Sequence, residues 1–328
     1  MAARPVPPTG PAVGVMPSSR AGDFILATGL FNAIKQWSPT AELTVVVGRR
    51  AAELARWHPA IDRVLVFDWG PLCVFPFLRE LRRRRFDAWL DPKDHFSRNQ
   101  SFVARAARAQ VKVGFNRPAG GPFHRQLPPP ADPPRHMSEM LLAPLALLGV
   151  RPDLPPTLSL GLPPASVARA EALLADGRGR QVLMNISAGR ADRYWEESKW
   201  VEWAVAASRM DPARFWLTSS PDDGDLAERI VEAVRRRGGA LRRLPPGSLL
   251  DVAAVVARMD AVVTMDTSIV HLASVFERPI VALFSNYEAN FQWFGPLSPA
   301  RVVVRGDRIA DIPVADVVSA YERLLAGR

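Results

Sequence analysis

Runs of consecutive Val, Ile, Leu and Ala alternate with helix-length segments along both halves of the sequence, and this alternation limits the fold more than any other feature. The runs are ELTVVVG (42–48), RVLVFD (63–68) and DAWLD (87–91) in the first half. In the second half they are QVLMNIS (181–187), RFWLTSS (214–220), DAVVTMD (260–266) and PIVALFS (279–285). Unbroken apolar runs of strand length belong to strands covered on both faces, as in parallel sheets. Strands alternating with helices imply βαβ units with right-handed crossovers. Between the halves, GVRPDLPPTLSLGLPP (149–164) is rich in Pro and Gly and reads as an interdomain linker. The 328 residues are enough for about two domains. The expected fold class is therefore α/β: two doubly wound parallel-sheet domains facing across a cleft. Residues 1–12 are expected to form a loose proline-rich tail, 13–153 and 165–314 the two domains, and 154–164 the linker. Residues 315–328 are expected to form a C-terminal helix able to pack on either half.

Composition narrows the function. No window approaches eighteen uninterrupted apolar residues, which argues against a transmembrane helix. The opening MAARPVPPTGPAVG lacks the apolar core of a secretory signal, so a cytoplasmic protein is expected. The single cysteine, Cys73, excludes an intramolecular disulfide and a cysteine-rich metal site. Neither a metal nor a cofactor is expected. Residues 1–160 hold 21 Lys and Arg against 12 Asp and Glu, whereas residues 161–328 hold 21 against 21. The whole net charge of +9 thus lies in the first half, densest in RELRRRRF (79–86). Such a run is either a solvated helix face or an attraction to an anionic partner: a phosphorylated acceptor, a membrane surface or a nucleic acid. The sequence lacks the recognition motif and interleaved aromatics of a nucleic-acid binder, so no nucleic acid is expected.

Ligands of doubly wound sheets bind beyond the carboxyl ends of strands, near helix N-termini. Four clusters occupy such positions. In MPSSRAGDFILATGLFNAIKQW (16–37), Asp23 lies near a helix start, either as a first-turn carboxylate or as a general base at a site mouth. Gly22 beside it permits close approach to the backbone. In NISAGRADRYWEESKW (185–200), Ser187 and Gly189 leave amides accessible, and Arg190 and Arg193 suit phosphate oxygens, although either arginine can instead pair with Glu196 or Glu197. In LTSSPDDGDLAERI (217–230), Asp222 and Asp223 are helix caps or acceptors for ribose hydroxyls. In MDTSIVHLASVFERPIVALF (265–284), Asp266, Thr267 and Ser268 close a strand and open a helix whose free amides suit a phosphate, with His271 one turn inside. Taken singly, this last cluster also reads as an ordinary capped helix.

Taken together, the clusters resemble the heptosyltransferase family of glycosyltransferases (glycosyltransferase family 9), which moves heptose from ADP-heptose during lipopolysaccharide core assembly. The resemblance is carried by AGDFILATGLFNAIKQWSPTAELTVVV (21–47), ISAGRADRYWEESKWVEWA (186–204), SSPDDGDLAERI (219–230) and, most specifically, LLDVAAVVARMDAVVTMDTSIVHLASVFERPIVALF (249–284). Weaker matches at 94–118 and 136–150 keep the same order, so the resemblance spans roughly residues 13 to 295. It implies a GT-B architecture of two Rossmann-like domains, the first holding the acceptor and the second the nucleotide-sugar. It implies Asp23 as catalytic base, with Arg20 and Gly22 at the acceptor. It places Ser187, Arg190, Arg193, Asp266, Thr267, Ser268 and His271 at the donor's sugar and diphosphate, and Asp222 or Asp223 at its ribose.

The implied reaction is inverting, metal-independent transfer of heptose to a lipopolysaccharide inner-core hydroxyl. The partners are ADP-heptose, an anionic glycolipid and the anionic inner face of the inner membrane, where the enzyme is peripheral. Two other outcomes fit the same fold: a protein O-heptosyltransferase and a catalytically inactive nucleotide-sugar-binding module. The chain departs from the family pattern at Ser268, where glycine is usual, and at Pro17, where Lys or Arg is frequent and Arg20 is a substitute. It departs again at Glu196, where proline is common, and at Arg193, where the family has lysine.

Overall fold

The computed structural model describes residues 10–18, 20–93, 95–116, 120–127, 135–175 and 179–327. The chain divides into two compact units that meet between Gly161 and Leu162. The first unit contains strands β1 (Ala12–Val15), β2 (Glu42–Val47), β3 (Arg63–Val66), β4 (Phe86–Leu90), β5 (Ala109–Gly114) and β6 (Arg125–Gln126). Its helices are α1 (Ala21–Trp37), α2 (Arg49–Arg56), α3 (Pro71–Arg82), α4 (Arg98–Ala106), α5 (Met137–Met140) and α6 (Ala143–Leu147). The second unit contains β7 (Gln181–Asn185), β8 (Arg214–Thr218), β9 (Leu241–Arg243), β10 (Ala261–Met265), β11 (Ile280–Ser285) and β12 (Arg301–Gly306). Its helices are α7 (Pro164–Leu174), α8 (Glu197–Met210), α9 (Gly224–Arg236), α10 (Leu249–Val256), α11 (Ser268–Val275), α12 (Glu288–Phe294) and α13 (Val314–Ala326).

Each unit is built on one six-stranded parallel sheet, ordered β3-β2-β1-β4-β5-β6 in the first and β12-β11-β10-β7-β8-β9 in the second. Counted within its own unit, each sheet has the same order, 3-2-1-4-5-6. The winding direction therefore reverses between β1 and β4 and between β7 and β10. At such reversals the flanking loops splay apart and leave a crevice at the carboxyl ends of the strands. Among the described residues no helix is long and apolar enough to cross a membrane.

All seven expected strands are present within two residues of their expected ends. The strand β1 corrects the proline-rich opening: it begins at Ala12, inside the stretch expected to be loose, and pairs with β2 and β4. Its brevity and its glycine hide it. A Cβ added at Gly14 would stand 2.4 Å from the Trp89 ring, so the glycine makes room for a buried indole. Residues 1–9 of the expected tail lie outside the described residues.

The expected linker is partly structured. Asn32 Nδ2 donates to the Thr157 carbonyl at 2.7 Å, Ser159 N donates to Thr28 Oγ1 at 3.2 Å, and Ser159 Oγ meets His58 Nε2 at 3.1 Å. These bonds tie residues 157–159 to the first unit. His58 is buried, which pushes its imidazole down to about 4 and keeps it neutral at neutral pH. The C-terminal helix α13 packs on the second unit, against α8 and β12. Its buried Tyr321 hydroxyl donates to Asp211 Oδ2 at 2.7 Å, and Asp211 is also held by Arg180 at 2.6 Å. Of the two halves open to it, the helix takes the second, because its apolar face finds cover on the nearer sheet. That cover is aromatic: Trp195, Trp200, Trp203, Phe215 and Tyr321 pack edge to face.

Candidate functional site

In the second unit three strand-end loops converge. The chain leaves β7 and runs through a single 3₁₀ turn, Ala191–Arg193, before α8. It leaves β10 at Asp266, and Thr267 then caps α11 by accepting the Ile269 amide at 3.2 Å. It leaves β11 and enters α12, which carries Asn290. Arg193 Nη1 lies 2.9 Å from Asp266 Oδ2, and Asn290 Nδ2 donates to the same oxygen at 2.8 Å. Arg193 also approaches the Asp266 carbonyl and Asn290 Oδ1, each at 3.4 Å. Asp266 is only 5% exposed. Burial pushes its carboxyl above the ordinary carboxylate range, and Arg193 and then Asn290 pull it back. The result is a guanidinium, a carboxylate, an amide and the positive end of a capped helix, gathered at one switch point. Such a set holds phosphate oxygens and hydroxyls together.

The arrangement is anchored from below. Trp195, two residues after Arg193, is buried; its indole N–H donates to the Ile312 carbonyl at 2.9 Å and its backbone N–H to Met265 Sδ at 3.0 Å. Met265 immediately precedes Asp266, so the two loops are joined directly beneath the ion pair. Asn185, at the end of β7, donates to the Ser187 carbonyl and Thr264 Oγ1 at 2.9 Å each and reaches Thr267 Oγ1 at 3.4 Å.

The remaining expected residues of this unit divide. Ser187 is buried and its hydroxyl accepts the Ser220 amide at 2.6 Å, which locks the ends of β7 and β8 together. Asp223 accepts from Tyr194 OH at 2.9 Å and Ser220 Oγ at 2.8 Å, while Asp222 is exposed. Arg190 is exposed and forms a bidentate pair with Asp192 at 2.9 and 2.8 Å. Neither arginine pairs with Glu196 or Glu197, the partners open from sequence: Arg193 takes Asp266, and Glu197 takes Arg229 at 2.9 Å. Ser268 is the first residue of α11 and half-buried, and His271 is buried one turn on, its ring 6.3 Å from that of Phe294.

In the first unit the switch point between β1 and β4 opens into a cavity of ≈ 450 Å³. Met16, Pro17 and Ser18 form part of its wall; among the described residues Arg20, Arg49, Arg50 and Lys93 are its cations and Asp68 its acid. Asp68 is itself paired with Arg49 at 2.5 Å. Gln100 Nε2 donates to the Met16 carbonyl at 3.0 Å and holds the loop after β1. Arg20 precedes α1, and its Nε lies 3.6 Å from Asp23 Oδ2 in the first turn, beside Gly22. The carboxyl of Asp91, where β4 ends, is buried and accepts the Lys93 amide at 3.1 Å; burial pushes it up to about 8. The clusters containing Asp23 and Arg193 therefore belong to different units, each at the reversal of its own sheet.

A family model described as glycosyltransferase family 9 (heptosyltransferase) matches residues 74–319. The chain belongs to glycosyltransferase family 9. As a family 9 member it is a transferase of glycosyl groups, with the two α/β units of the GT-B fold. The lipopolysaccharide core heptosyltransferase OpsX of Haemophilus influenzae is 23% identical over 279 residues, covering 81% of this chain and 77% of the relative. A glycosyl transferase family 9 structure from Veillonella parvula superposes with a TM-score of 0.84 at 19% identity, covering 98% of this chain and 99% of the other. The E. coli heptosyltransferase WaaC, solved with ADP, gives 0.76 at 21% identity, covering 95% and 99%.

Asn290, Tyr194, Arg49, Arg50 and Lys93 went unmarked in the sequence. Arg49, Arg50, Lys93 and Asn290 all follow expected strands within five residues, so a wider search of strand ends would have found them.

Proposed function

We propose that this family 9 enzyme transfers a heptose from ADP-heptose to a hydroxyl of an anionic lipopolysaccharide inner-core acceptor, with inversion and without a metal. The observation that carries this reading is the Arg193–Asp266–Asn290 cluster beside the start of α11. It supplies a fixed cation and oriented amides for a diphosphate, together with hydroxyl acceptors for a sugar. ADP in the E. coli relative WaaC supports an adenosine diphosphate donor.

In this mechanism Asp23 accepts the proton of the acceptor hydroxyl as its oxygen bonds to the anomeric carbon. The bond from that carbon to the diphosphate oxygen breaks on the opposite side, and ADP departs with the electron pair. Arg193 and the α11 amides stabilise the charge growing on the diphosphate, which is the part a metal ion plays elsewhere. Asp266 holds Arg193 in place before the donor arrives and shares it afterwards. In this reading exposed Asp222 accepts from ribose, beside the Tyr194–Asp223 bond.

The cavity of the first unit suits the acceptor. Arg20, Arg50 and Lys93 offer donors for carboxylate or phosphate groups of an anionic glycan. The reading places the enzyme on the cytoplasmic face of the inner membrane, held peripherally by the positive first unit. Purified protein incubated with ADP-heptose and a lipid A–Kdo acceptor tests it: acceptor-dependent ADP release is expected, unchanged by a chelator. Preference for a UDP- or GDP-sugar refutes the donor assignment, and donor binding without turnover shows an inactive module.

A further inference from the structure

Helix α3 turns apolar side chains toward solvent. Leu72 is 90% and Phe75 74% exposed, the two most exposed large apolar side chains among the described residues. Pro76 is exposed beside them, and Trp69, 52% exposed, stands just before the helix. Positions 72, 75, 76, 79, 82 and 83 follow one face of a helix. Its opposite face is buried through Phe77 and Leu81, which pack with Phe67 and Trp89. The outward stripe is therefore not a misplaced core. Its first half is apolar and its second half cationic.

The cations are available. Arg84 turns back to Glu80 at 2.5 Å, and Arg83 lies 3.6 Å from the same residue. Arg79, Arg82 and Arg85 have no carboxylate partner among the described residues. An apolar tip flanked by unpaired arginines, with a tryptophan at its edge, is the pattern of an element lying in the boundary between headgroups and acyl chains. Leu72, Phe75, Pro76 and Trp69 offer on the order of a few hundred Å², below the ~1,000 Å² that a specific protein interface buries. A bilayer sets no such minimum and adds the attraction of its phosphates.

We propose that α3 seats the protein on an anionic bilayer, Leu72 and Phe75 entering the interface while Arg79 and Arg82 meet lipid phosphates. The inference rests on the glycolipid-acceptor reading and adds to it the contacting element. The position of α3 suits that acceptor. Trp69 and Asp68 line the cavity of the first unit, and Arg49 of the same wall donates to Cys73 Sγ on the first turn of α3 at 3.5 Å. A glycan rising from lipids at α3 thus starts beside the cavity mouth.

Flotation with phosphatidylcholine vesicles, alone and mixed with phosphatidylglycerol, tests the proposal. The full chain should float with the mixed vesicles. Leu72→Ser/Phe75→Ser should reduce the bound fraction about tenfold or more, since each buried apolar side chain carries at least a tenfold factor. Thermal stability and turnover of a delipidated acceptor should stay unchanged, while KM for vesicle-borne acceptor rises. Arg79→Glu/Arg82→Glu should weaken flotation chiefly at low salt. If Leu72→Ser/Phe75→Ser floats like the wild type, charge alone seats the protein; the role of α3 is refuted and the glycolipid reading survives. If the wild type floats with neither vesicle yet turns over delipidated acceptor, membrane seating is refuted and the transferase reading survives. If the double substitution abolishes self-association in light scattering and leaves flotation intact, the face belongs to a second copy of the chain and the proposal fails.

Discussion

Arg193 Nη1 and Asp266 Oδ2 stand 2.9 Å apart at the reversal of the second sheet, and the carboxylate of this pair is almost wholly buried while the guanidinium is 28% exposed. The asymmetry matters. Arg193 is open to solvent on one side, whereas Asp266 depends chiefly on Arg193 for its countercharge. Arg193→Ala should lower kcat roughly 10²–10³-fold, the usual loss for one oriented donor at a developing anion. Arg193→Lys should recover part of it, because the charge returns without the bidentate geometry. Arg193→Ala should also destabilise the fold in a pH-dependent way. Asp266 already titrates above its unfolded value, and losing Arg193 raises it further. The folded state then holds a proton that the unfolded state releases, so stability falls as pH rises. Thermal melts at acidic and alkaline pH should show the larger deficit at alkaline pH.

Asp91 gives a second pH signature. Its buried carboxyl titrates at about 8 in the folded protein, against about 3.9 in an unfolded chain. Between those values the folded state binds the extra proton, so its contribution to stability declines by about 1.4 kcal/mol per pH unit and is lost through pH 8. His58 acts oppositely: its folded value of about 4 lies below the usual 6.5, so stability falls as pH drops between them. Above pH ~7.5 His58 is almost wholly neutral in both states, so the remaining slope is that of Asp91. Asp91→Asn should flatten the stability profile between pH 6.5 and 8 and equal or exceed the wild type at pH 8.5, as read by urea melts.

Trp195 is predicted to hold the Arg193 loop. Trp195→Ala should cost about 3–5 kcal/mol, the range for emptying a buried aromatic site. It should also weaken ADP binding by calorimetry, through the loss of the indole bond to the Ile312 carbonyl and of the packing beneath the loop. Trp195→Phe should retain most of the packing and lose the indole hydrogen bond, at about 0.5–1.5 kcal/mol, since Lys199 Nζ still donates to the Ile312 carbonyl at 3.2 Å.

The fold was legible because parallel strands buried on both faces leave unbroken Val/Leu/Ile runs, as in β2, β10 and β11. The strand β1 was not, because its glycine and flanking prolines look like a loop until Trp89 is seen beneath them. At the site, the strand-end rule led to Asp266 and Arg193 as separate candidates. Their pairing was not legible, since 73 residues separate them and only the adjacency of β7 and β10 joins their loops. Asn290 escaped for a related reason: an asparagine in a polar loop carries no sequence signal until α12 turns it toward Asp266. The cationic cavity was visible only as a charge surplus, because its members come from the ends of β1, β2 and β4.

Lys93→Gln and Arg50→Gln are predicted to act on the acceptor alone. Each should raise KM for an anionic acceptor about tenfold, as expected for one charged hydrogen bond. Donor affinity and kcat should stay near wild-type values, because both residues lie in the first unit. Steady-state kinetics with acceptor and donor varied separately would show whether the losses divide in this way.

Heptosyl transfer with Asp23 as base stands or falls on acceptor-dependent ADP release from ADP-heptose in wild type and Asp23→Asn. The carboxylate is partly exposed and its 3.6 Å contact with Arg20 is worth about 0–1 kcal/mol, so the variant should fold and bind ADP normally. A catalytic base at Asp23 requires a loss of kcat of roughly 10²–10⁴-fold at unchanged ADP affinity. Wild-type turnover in Asp23→Asn would contradict it.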